Sequence, residues 1–394
     1  MPTLYDHQKK LVNKNPHKHL IAHDTGTGKT ITALSLAQKN DQIALIIVPK
    51  ALKASWERQI KDFNPYHMVV SKEEFRRDWD IIPDFQAVIV DEAHFFANEK
   101  SQMSKALRKY LKKHRSEFVW LLTATPYCSS AMNIYTLAKH LGHNINYWAF
   151  FNAYFFQVRM GMRMIPMQKP GIENELADLV KKIGSTCTLD ECADVPTQTF
   201  ETIYFEKTKD QEKGIKEIND SVAITRWTRK HTIENGLKIG DEYTTDQYFD
   251  CLKNDYIVSL SEQNKKIAIF CRYNLQIELL KNLLEAKGKK VFIINGEVKN
   301  RDEVVSMIES TDECIALIQA SCSVGFEIPS VPLVIFASLS FSYIDYKQAL
   351  GRVLRINKLK KNLYIHLVTK GGVDEDVYNC IMKKQDFSMT IYEK

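Results

Sequence analysis

Long hydrophobic runs are missing from this chain. No window approaches the roughly 20 apolar residues that a membrane span needs. The opening Met1-Pro2-Thr3-Leu4-Tyr5-Asp6 has no apolar stretch of the signal-peptide kind. These two absences predict a protein of the cytoplasm or the nucleus, neither secreted nor embedded in a membrane. Paired cysteines are missing as well. The eight cysteines are scattered singly, except Cys187 and Cys192, whose spacing finds no matching pair elsewhere. That argues against zinc and against a disulfide framework, and it fits a reducing compartment. Strong charge of either sign is also absent: a net charge of +6 permits a polyanionic partner, through local patches, without demanding one. There is no short-period repeat and no low-complexity tract. What remains is a chain of 394 residues, 44% apolar and 26% charged, too long for one compact core and suited to two domains.

The chain is organised around Ile21-Ala22-His23-Asp24-Thr25-Gly26-Thr27-Gly28-Lys29-Thr30, which runs into the apolar, helix-favouring Ile31 to Ala37. Gly26 and Gly28 let the backbone turn tightly, so that several N–H groups point into one concavity. The following helix presents its positive dipole end to the same spot. Lys29 can then reach the β- and γ-phosphates of a nucleotide, and Thr30 can ligate magnesium. His23 stands where strict phosphate-loop spacing wants a small residue. The second landmark is Ala87-Val88-Ile89-Val90, a buried-strand run ending on the adjacent carboxylates Asp91 and Glu92. Asp91 is expected to hold magnesium, and Glu92 to position or deprotonate the attacking water. A lysine, a magnesium carboxylate and a candidate base together predict NTP hydrolysis.

Strands are predicted within Ile43–Val48, Met68–Val70, Ala87–Val90 and Phe118–Leu122, with helical spacing over Ala51–Phe63 and Gln102–His114 between them. Strands alternating with helices predict a parallel sheet covered on both faces. From Asn133 to about Glu191 the pattern changes to helices and an aromatic run, Tyr147 to Phe156, which could stack bases but is expected rather to pack a helical extension (about 128–191) onto the first sheet. The connection lies at Cys192–Gln198, giving domains 1–195 and 196–394. In the second half, strands are predicted at Phe200–Phe205, Lys266–Cys271, Lys290–Asn295, Cys314–Gln319, Pro332–Ala337 and Leu363–Thr369. Arg352 and Arg355 are three apart and share a helix face, as arginines that stabilise transition-state charge from a second domain would.

In this order the motifs resemble those of superfamily 2 helicases and translocases, specifically the Swi/Snf-like branch, over nearly the whole chain. The resemblance implies two RecA-like parallel-sheet domains in tandem, an α/β fold, with a helical extension on the first. It implies that Gln8, in Leu4-Tyr5-Asp6-His7-Gln8, reads adenine and that Thr25, Gly26, Thr27, Gly28, Lys29 and Thr30 cradle ATP. Thr30 and Asp91 would hold Mg2+. His94 of Asp91-Glu92-Ala93-His94, Thr123 and Thr125 of Thr123-Ala124-Thr125-Pro126, and Gln348 would couple hydrolysis to domain motion. Lys50, Ser71, Thr123, Arg272 and Ser321 would contact the nucleic-acid backbone, and Arg352 and Arg355 would face the γ-phosphate. Thr25 and Thr27 replace the Met and Leu common in the branch, and Glu327 stands where Asn or Asp is usual. The resemblance also implies a minimal motor, of the kind that bacteriophages or mobile elements encode.

Such a motor hydrolyses ATP between its domains and hands a strand's backbone along, with weak sequence preference and salt-sensitive binding. The expected partner is DNA, duplex or forked, together with proteins of replication, recombination or repair. The rival readings are an unwinding or branch-migrating helicase, an RNA-dependent helicase, a non-hydrolysing nucleic-acid-binding module, and the motor subunit of a restriction complex. Gln348 opens the motif where the RNA-dependent helicases usually have His.

Overall fold

The chain divides into two compact units, Met1–Asp194 and Val195–Lys394. The structure, a computed structural model, describes residues 3–126, 130–160, 163–192, 198–219, 222–240, 245–353, 362–383 and 387. In the first unit the strands are β1 (Lys18–His23), β2 (Ala44–Val48), β3 (Met68–Ser71), β4 (Ala87–Val90), β5 (Phe118–Leu122), β6 (Phe155–Met160), β7 (Arg163–Gln168) and β8 (Gly184–Cys187). Six of them form one parallel sheet in the order β3-β2-β4-β5-β1-β8. Both faces are covered, because alternate residues of each strand enter different cores. Leu45, Ile47, Val88, Val90, Val119 and Leu121 point to one side. Ala44, Ile46, Val48, Ala87, Ile89, Trp120 and Leu122 point to the other. This is why the strands read as unbroken apolar runs rather than as alternation.

The expected helical extension is only partly helical. Helices Ala131–His140, Tyr147–Tyr154 and Glu173–Ile183 are present, but β6 and β7 form an antiparallel hairpin within the segment. The chain then returns to the main sheet as β8, beside β1. Phe150, Phe151 and Phe155 of the aromatic run are buried in the core under one face of the first sheet, whereas Trp148 is 63% exposed. Packing therefore uses Phe150, Phe151 and Phe155, and leaves Tyr147, Trp148 and Phe156 exposed.

The second unit contains β9 (Thr199–Phe205), β10 (Leu237–Lys238), β11 (Gln247–Tyr248), β12 (Lys266–Cys271), β13 (Val291–Ile294), β14 (Cys314–Gln319), β15 (Leu333–Phe336) and β16 (Leu363–Thr369). Its main sheet is again parallel, in the order β13-β14-β12-β15-β16-β9, and β10 and β11 make a small antiparallel ladder. The same two-sided burial holds, with Phe270, Ile318 and Phe336 on one face. Ile269, Leu317 and Ile335 occupy the other. The fold is thus two RecA-like α/β sheets in tandem. No helix among the described residues is long and apolar enough to cross a membrane.

Several histidines are buried in both units, and acid should find them. His140 closes the helix Ala131–His140, with Nε2 3.1 Å from Ser104 Oγ and 3.2 Å from the Phe96 carbonyl oxygen. Burial pushes its pKa down from 6.5 to about 4. The unfolded chain therefore binds a proton here that the folded chain refuses, and stability falls as pH drops through 6.5 towards 4. At pH 5 the contribution of this one group is a loss of about 2 kcal/mol. His140→Asn keeps a neutral hydrogen-bonding group without the titration. Urea denaturation at pH 7 and pH 5 should show a smaller acid loss for this variant than for the parent, by about that amount. An equal loss in both would remove His140 from the account.

Candidate active site

The strand order places the chemistry before any side chain is considered. The carboxyl ends of β4, β5 and β1 lie side by side, and they carry Asp91, Thr123 and the phosphate-binding loop respectively. Parallel strands all deliver their following loops to one edge, so three motifs far apart in sequence meet there.

The loop from β1 is shaped by Gly26 and Gly28, at φ +87° and +81°, conformations that a side chain resists. A Cβ at Gly28 would also press on the side-chain amide of Gln8, which would have to shift. Gln8 is 1% exposed and braces the loop: its amide donates to the Gly28 carbonyl at 3.0 Å and to Thr27 at 3.4 Å, while Oε1 accepts from Tyr5 N–H at 2.8 Å. Thr27 is buried, its hydroxyl donating to the Asp24 carbonyl at 2.7 Å. Lys29 opens the helix Lys29–Lys39, and its ammonium donates to the carbonyls of His23 and Asp24, both at 3.0 Å. Thr25 and Thr30 are half-buried on the same loop and first helical turn. His23, which breaks the strict spacing, is buried, and its Nε2 lies 2.9 Å from Ser185 Oγ of β8.

Asp91 is buried at the end of β4. It accepts from Trp56 Nε1–H at 2.8 Å and from the Glu92 N–H at 2.9 Å. Burial, then the neighbouring Glu92 charge, push its carboxyl up to about 6, against the pull of Trp56 and Lys29. Glu92 holds φ +48°, unusual for a residue with a side chain and a mark of a backbone bent for position. Its Oε2 lies 3.3 Å from His94 Nδ1, which in turn is 3.4 Å from Thr123 Oγ1. Thr125 N–H donates to that same hydroxyl at 3.1 Å. Glu92, His94, Thr123 and Thr125 thus form one polar chain from the end of β4 to the end of β5.

Of the residues read as nucleic-acid contacts in this unit, Lys50 is exposed just beyond β2. Ser71 is 3% exposed, and its hydroxyl caps the helix Lys72–Asp78 by accepting from Glu74 N–H at 3.1 Å. The cap uses the hydroxyl as an acceptor and leaves its O–H to donate.

In the second unit β14 and β12 are neighbours, with Gln319 opposite Cys271, so their ends bring Ser321 and Arg272 together. With Tyr273, Ala320 and Ser340 they line one cavity. The Arg272 guanidinium lies over the Phe341 ring at 3.5 Å, and its backbone N–H donates to Ser338 Oγ at 2.8 Å. Gln348 and Arg352 are buried on the helix Tyr343–Val353. Arg352 Nη1 donates to the Phe326 carbonyl at 3.0 Å, and Nε donates to the Gln348 carbonyl at 3.1 Å. Arg352 therefore ties its helix to the Gly325–Ile328 loop. Arg301, across that loop, donates to the carbonyls of Val324 at 3.0 Å and Cys322 at 3.3 Å. Arg355 lies outside the described residues.

Sequence reasoning missed Trp56 as the donor to Asp91. The helical spacing over Ala51–Phe63 contains Trp56, but a spacing carries no signal for an indole N–H donor.

Family models match along the chain in succession. The type III restriction enzyme, res subunit, covers residues 3–82, the SNF2-related domain 64–256, and the helicase conserved C-terminal domain 248–357. A SWI/SNF-related matrix-associated actin-dependent regulator of chromatin subfamily A-like protein 1 of Bos taurus is 24% identical over 401 residues, covering 93% of this chain and 42% of that protein. An uncharacterized ATP-dependent helicase of Mycoplasma genitalium is 22% identical over 425 residues, covering 96% of this chain and 40% of that protein. The chain spans about half the length, or less, of the curated relatives it first matches. Among solved structures, the Hef helicase domain of Pyrococcus furiosus shares the fold at 16% identity, with a TM-score of 0.55 over 94% of this chain and 96% of that one. With its motifs in order and these models following one another along it, the chain belongs to the Swi/Snf-like branch of the superfamily 2 helicases and translocases.

Proposed function

We propose that this protein is a nucleic-acid-dependent ATPase that uses hydrolysis to move along duplex DNA. The observation that carries the reading is the convergence at one sheet edge of Lys29, the buried Asp91 and the Glu92–His94–Thr123 chain. A fold shared with many functions does not argue for an activity; this set of groups does. The donor set suits magnesium nucleotide: a buried carboxylate, a threonine hydroxyl in a first helical turn, and a glycine-bounded loop of backbone N–H groups. Thr30 and Asp91 would hold the ion, which when bound offsets charge on the phosphate oxygens.

The chain's own residues divide the work. Lys29 leaves the loop carbonyls to bind phosphate. Glu92 orients and deprotonates water, and His94 keeps its carboxylate in place. Thr123 relays the state of that pair to the β5 loop. Gln348 and Arg352 hold the second unit's motifs in register, and Arg355 supplies charge to the γ-phosphate. Arg272 and Ser321, lining one cavity, grip the DNA backbone, with Lys50 contributing from the first unit. A second reading, fork unwinding, draws on the β6–β7 hairpin, where Phe156 and Met164 are 41% and 55% exposed.

ATPase rate is the deciding measurement, with no nucleic acid, blunt duplex DNA, single-stranded DNA, forked DNA and RNA, each at two salt concentrations. The expected outcome is stimulation by blunt duplex of at least about tenfold, weakening as salt rises. Stimulation by forks or single strands alone would shift the function to unwinding. Stimulation by RNA alone would exclude the DNA reading, and no turnover with any of them would leave a binding module.

A further inference from the structure

Beside the phosphate-binding loop is a cluster that the ATPase reading does not use. Among the described residues, His7, Cys187 and Cys192 present ligand atoms that all lie within 4.8 Å of one another. We propose that they bind a single zinc-class divalent cation. The three residues come from three elements: the helix Asp6–Lys14, the end of β8, and the helix Leu189–Cys192. Their convergence is not local, since His7 lies 185 residues upstream of Cys192.

The chemistry of the set is that of zinc, with two thiolates and an imidazole as borderline-soft donors. Cys187 and Cys192 enclose four residues, within the C-x₂₋₄-C spacing of zinc sites. His7 Nε2 is 3.8 Å from Cys192 Sγ. Tetrahedral bonds of about 2.3 Å to sulfur and 2.0 Å to nitrogen require a ligand separation of roughly that size. The two sulfurs, 2.8 Å apart, would have to spread by about 1 Å, which a turn of the Cys192 side chain away from the Thr188 carbonyl supplies. The two thiols release their protons to solvent on binding. Coordination through His7 Nε2 puts the ring proton on Nδ1, which is buried with no hydrogen-bond partner among the described residues. A fourth position falls to water or to Asp24, whose Oδ2 accepts from Leu189 N–H on the same turn at 3.4 Å. A disulfide would account for the sulfurs and leave the histidine unexplained.

The site would clamp the phosphate-binding loop from outside. Asp24 N–H donates to the Cys187 carbonyl at 2.9 Å, and His7 Nε2 lies 3.0 Å from the Thr27 carbonyl oxygen. Coordination takes His7 from Thr27, so cation binding reaches the loop directly.

The test needs no ATPase activity. The full chain, purified without chelator under reducing conditions, should carry about one zinc per chain by elemental mass spectrometry. Zinc-stripped protein titrated with Co2+ should develop sulfur-to-cobalt charge transfer in the near ultraviolet and the strong visible bands of a tetrahedral site. Cys187→Ser and His7→Ala should each weaken Zn2+ binding by more than about 100-fold. Cys380→Ser, on the helix Val373–Met382 of the second unit, should leave the cobalt spectrum unchanged. A protein without zinc that gives only octahedral cobalt bands would overturn the proposal. So would thiol titration showing Cys187 and Cys192 oxidised to each other under the same conditions. If the variants fail to fold, the cobalt spectrum of the parent chain still decides.

Discussion

Glu92→Gln is expected to lower ATP turnover by roughly 10²- to 10⁴-fold, the range for loss of a positioned acid–base group, while ATP binding is kept or tightened. The substitution preserves shape. A glutamine Oε1 can still accept from His94, which now lies 3.3 Å from the carboxylate, and the backbone at φ +48° is unaffected by the exchange. What disappears is a negative charge beside Asp91. Because Glu92 is the second cause of the raised Asp91 pKa after burial, its removal lets the Asp91 carboxyl fall from about 6 and ionise more fully. A better magnesium ligand then holds nucleotide at least as well as before. Lys29→Ala should behave differently and lose affinity as well as rate, since in the proposed site its ammonium binds the phosphate. Single-turnover hydrolysis with equilibrium binding of a fluorescent ATP analogue separates the two cases. Near-normal turnover in Glu92→Gln would remove Glu92 as the base. Lost binding would make it a structural support of the Asp91 loop.

The contrast between what could and could not be read in this sequence follows from distance along the chain. Central strands such as Ala87–Val90 and Cys314–Gln319 were legible because a parallel sheet covered on both faces demands continuous apolar residues. Their carboxyl ends mark the site, so Lys29, Asp91 and Glu92 could be placed from sequence too. Of the edge strands, β3, β9 and β13 were legible and β8 was not. β8 is the short, largely polar Gly184-Ser185-Thr186-Cys187, and only the finished sheet explains its glycine: a Cβ there would collide with the Leu20 carbonyl oxygen. The β6–β7 hairpin begins inside an aromatic run whose first part is helical, and Pro166 within β7 suppresses a strand signal. Cys187 and Cys192 argued against zinc while they were considered as a pair. The third proposed ligand, His7, sits near the other end of the first unit in sequence, where no spacing rule reaches. Ser71-Lys72-Glu73-Glu74 is a reciprocal cap in which the Ser71 hydroxyl accepts from Glu74 N–H and keeps its own O–H to donate.

Asp374→Ala should destabilise the second unit by about 3–5 kcal/mol, the largest stability effect expected of a single substitution here. Asp374 is 3% exposed and receives three donors: Lys253 Nζ at 2.9 Å, His231 Nε2 at 3.2 Å and Thr369 N–H at 2.6 Å. Burial alone would push its carboxyl up, but the Lys253 ammonium and His231 hold it well below the usual carboxylate range. Truncation leaves Lys253, itself 1% exposed, as a buried ammonium with only the Asn235 side chain and the Ala337 carbonyl to receive it. An unpaired buried charge is the costly outcome, whereas replacing both partners by apolar residues is often close to neutral. Lys253→Met combined with Asp374→Leu should therefore recover most of the loss, and a urea-denaturation double-mutant cycle measures the difference. If the double variant is as unstable as the sum of the singles, packing rather than charge holds this network together. The network also reaches the proposed DNA-gripping cavity, because His231 Nδ1 lies 2.7 Å from the hydroxyl of Tyr273, the neighbour of Arg272. A folded Asp374→Asn variant keeps the carbonyl-type acceptor but lacks the charge that fixes Lys253. Its duplex-stimulated ATPase should therefore fall while its unstimulated rate holds, since the lost support lies under Arg272 and far in sequence from Lys29 and Glu92.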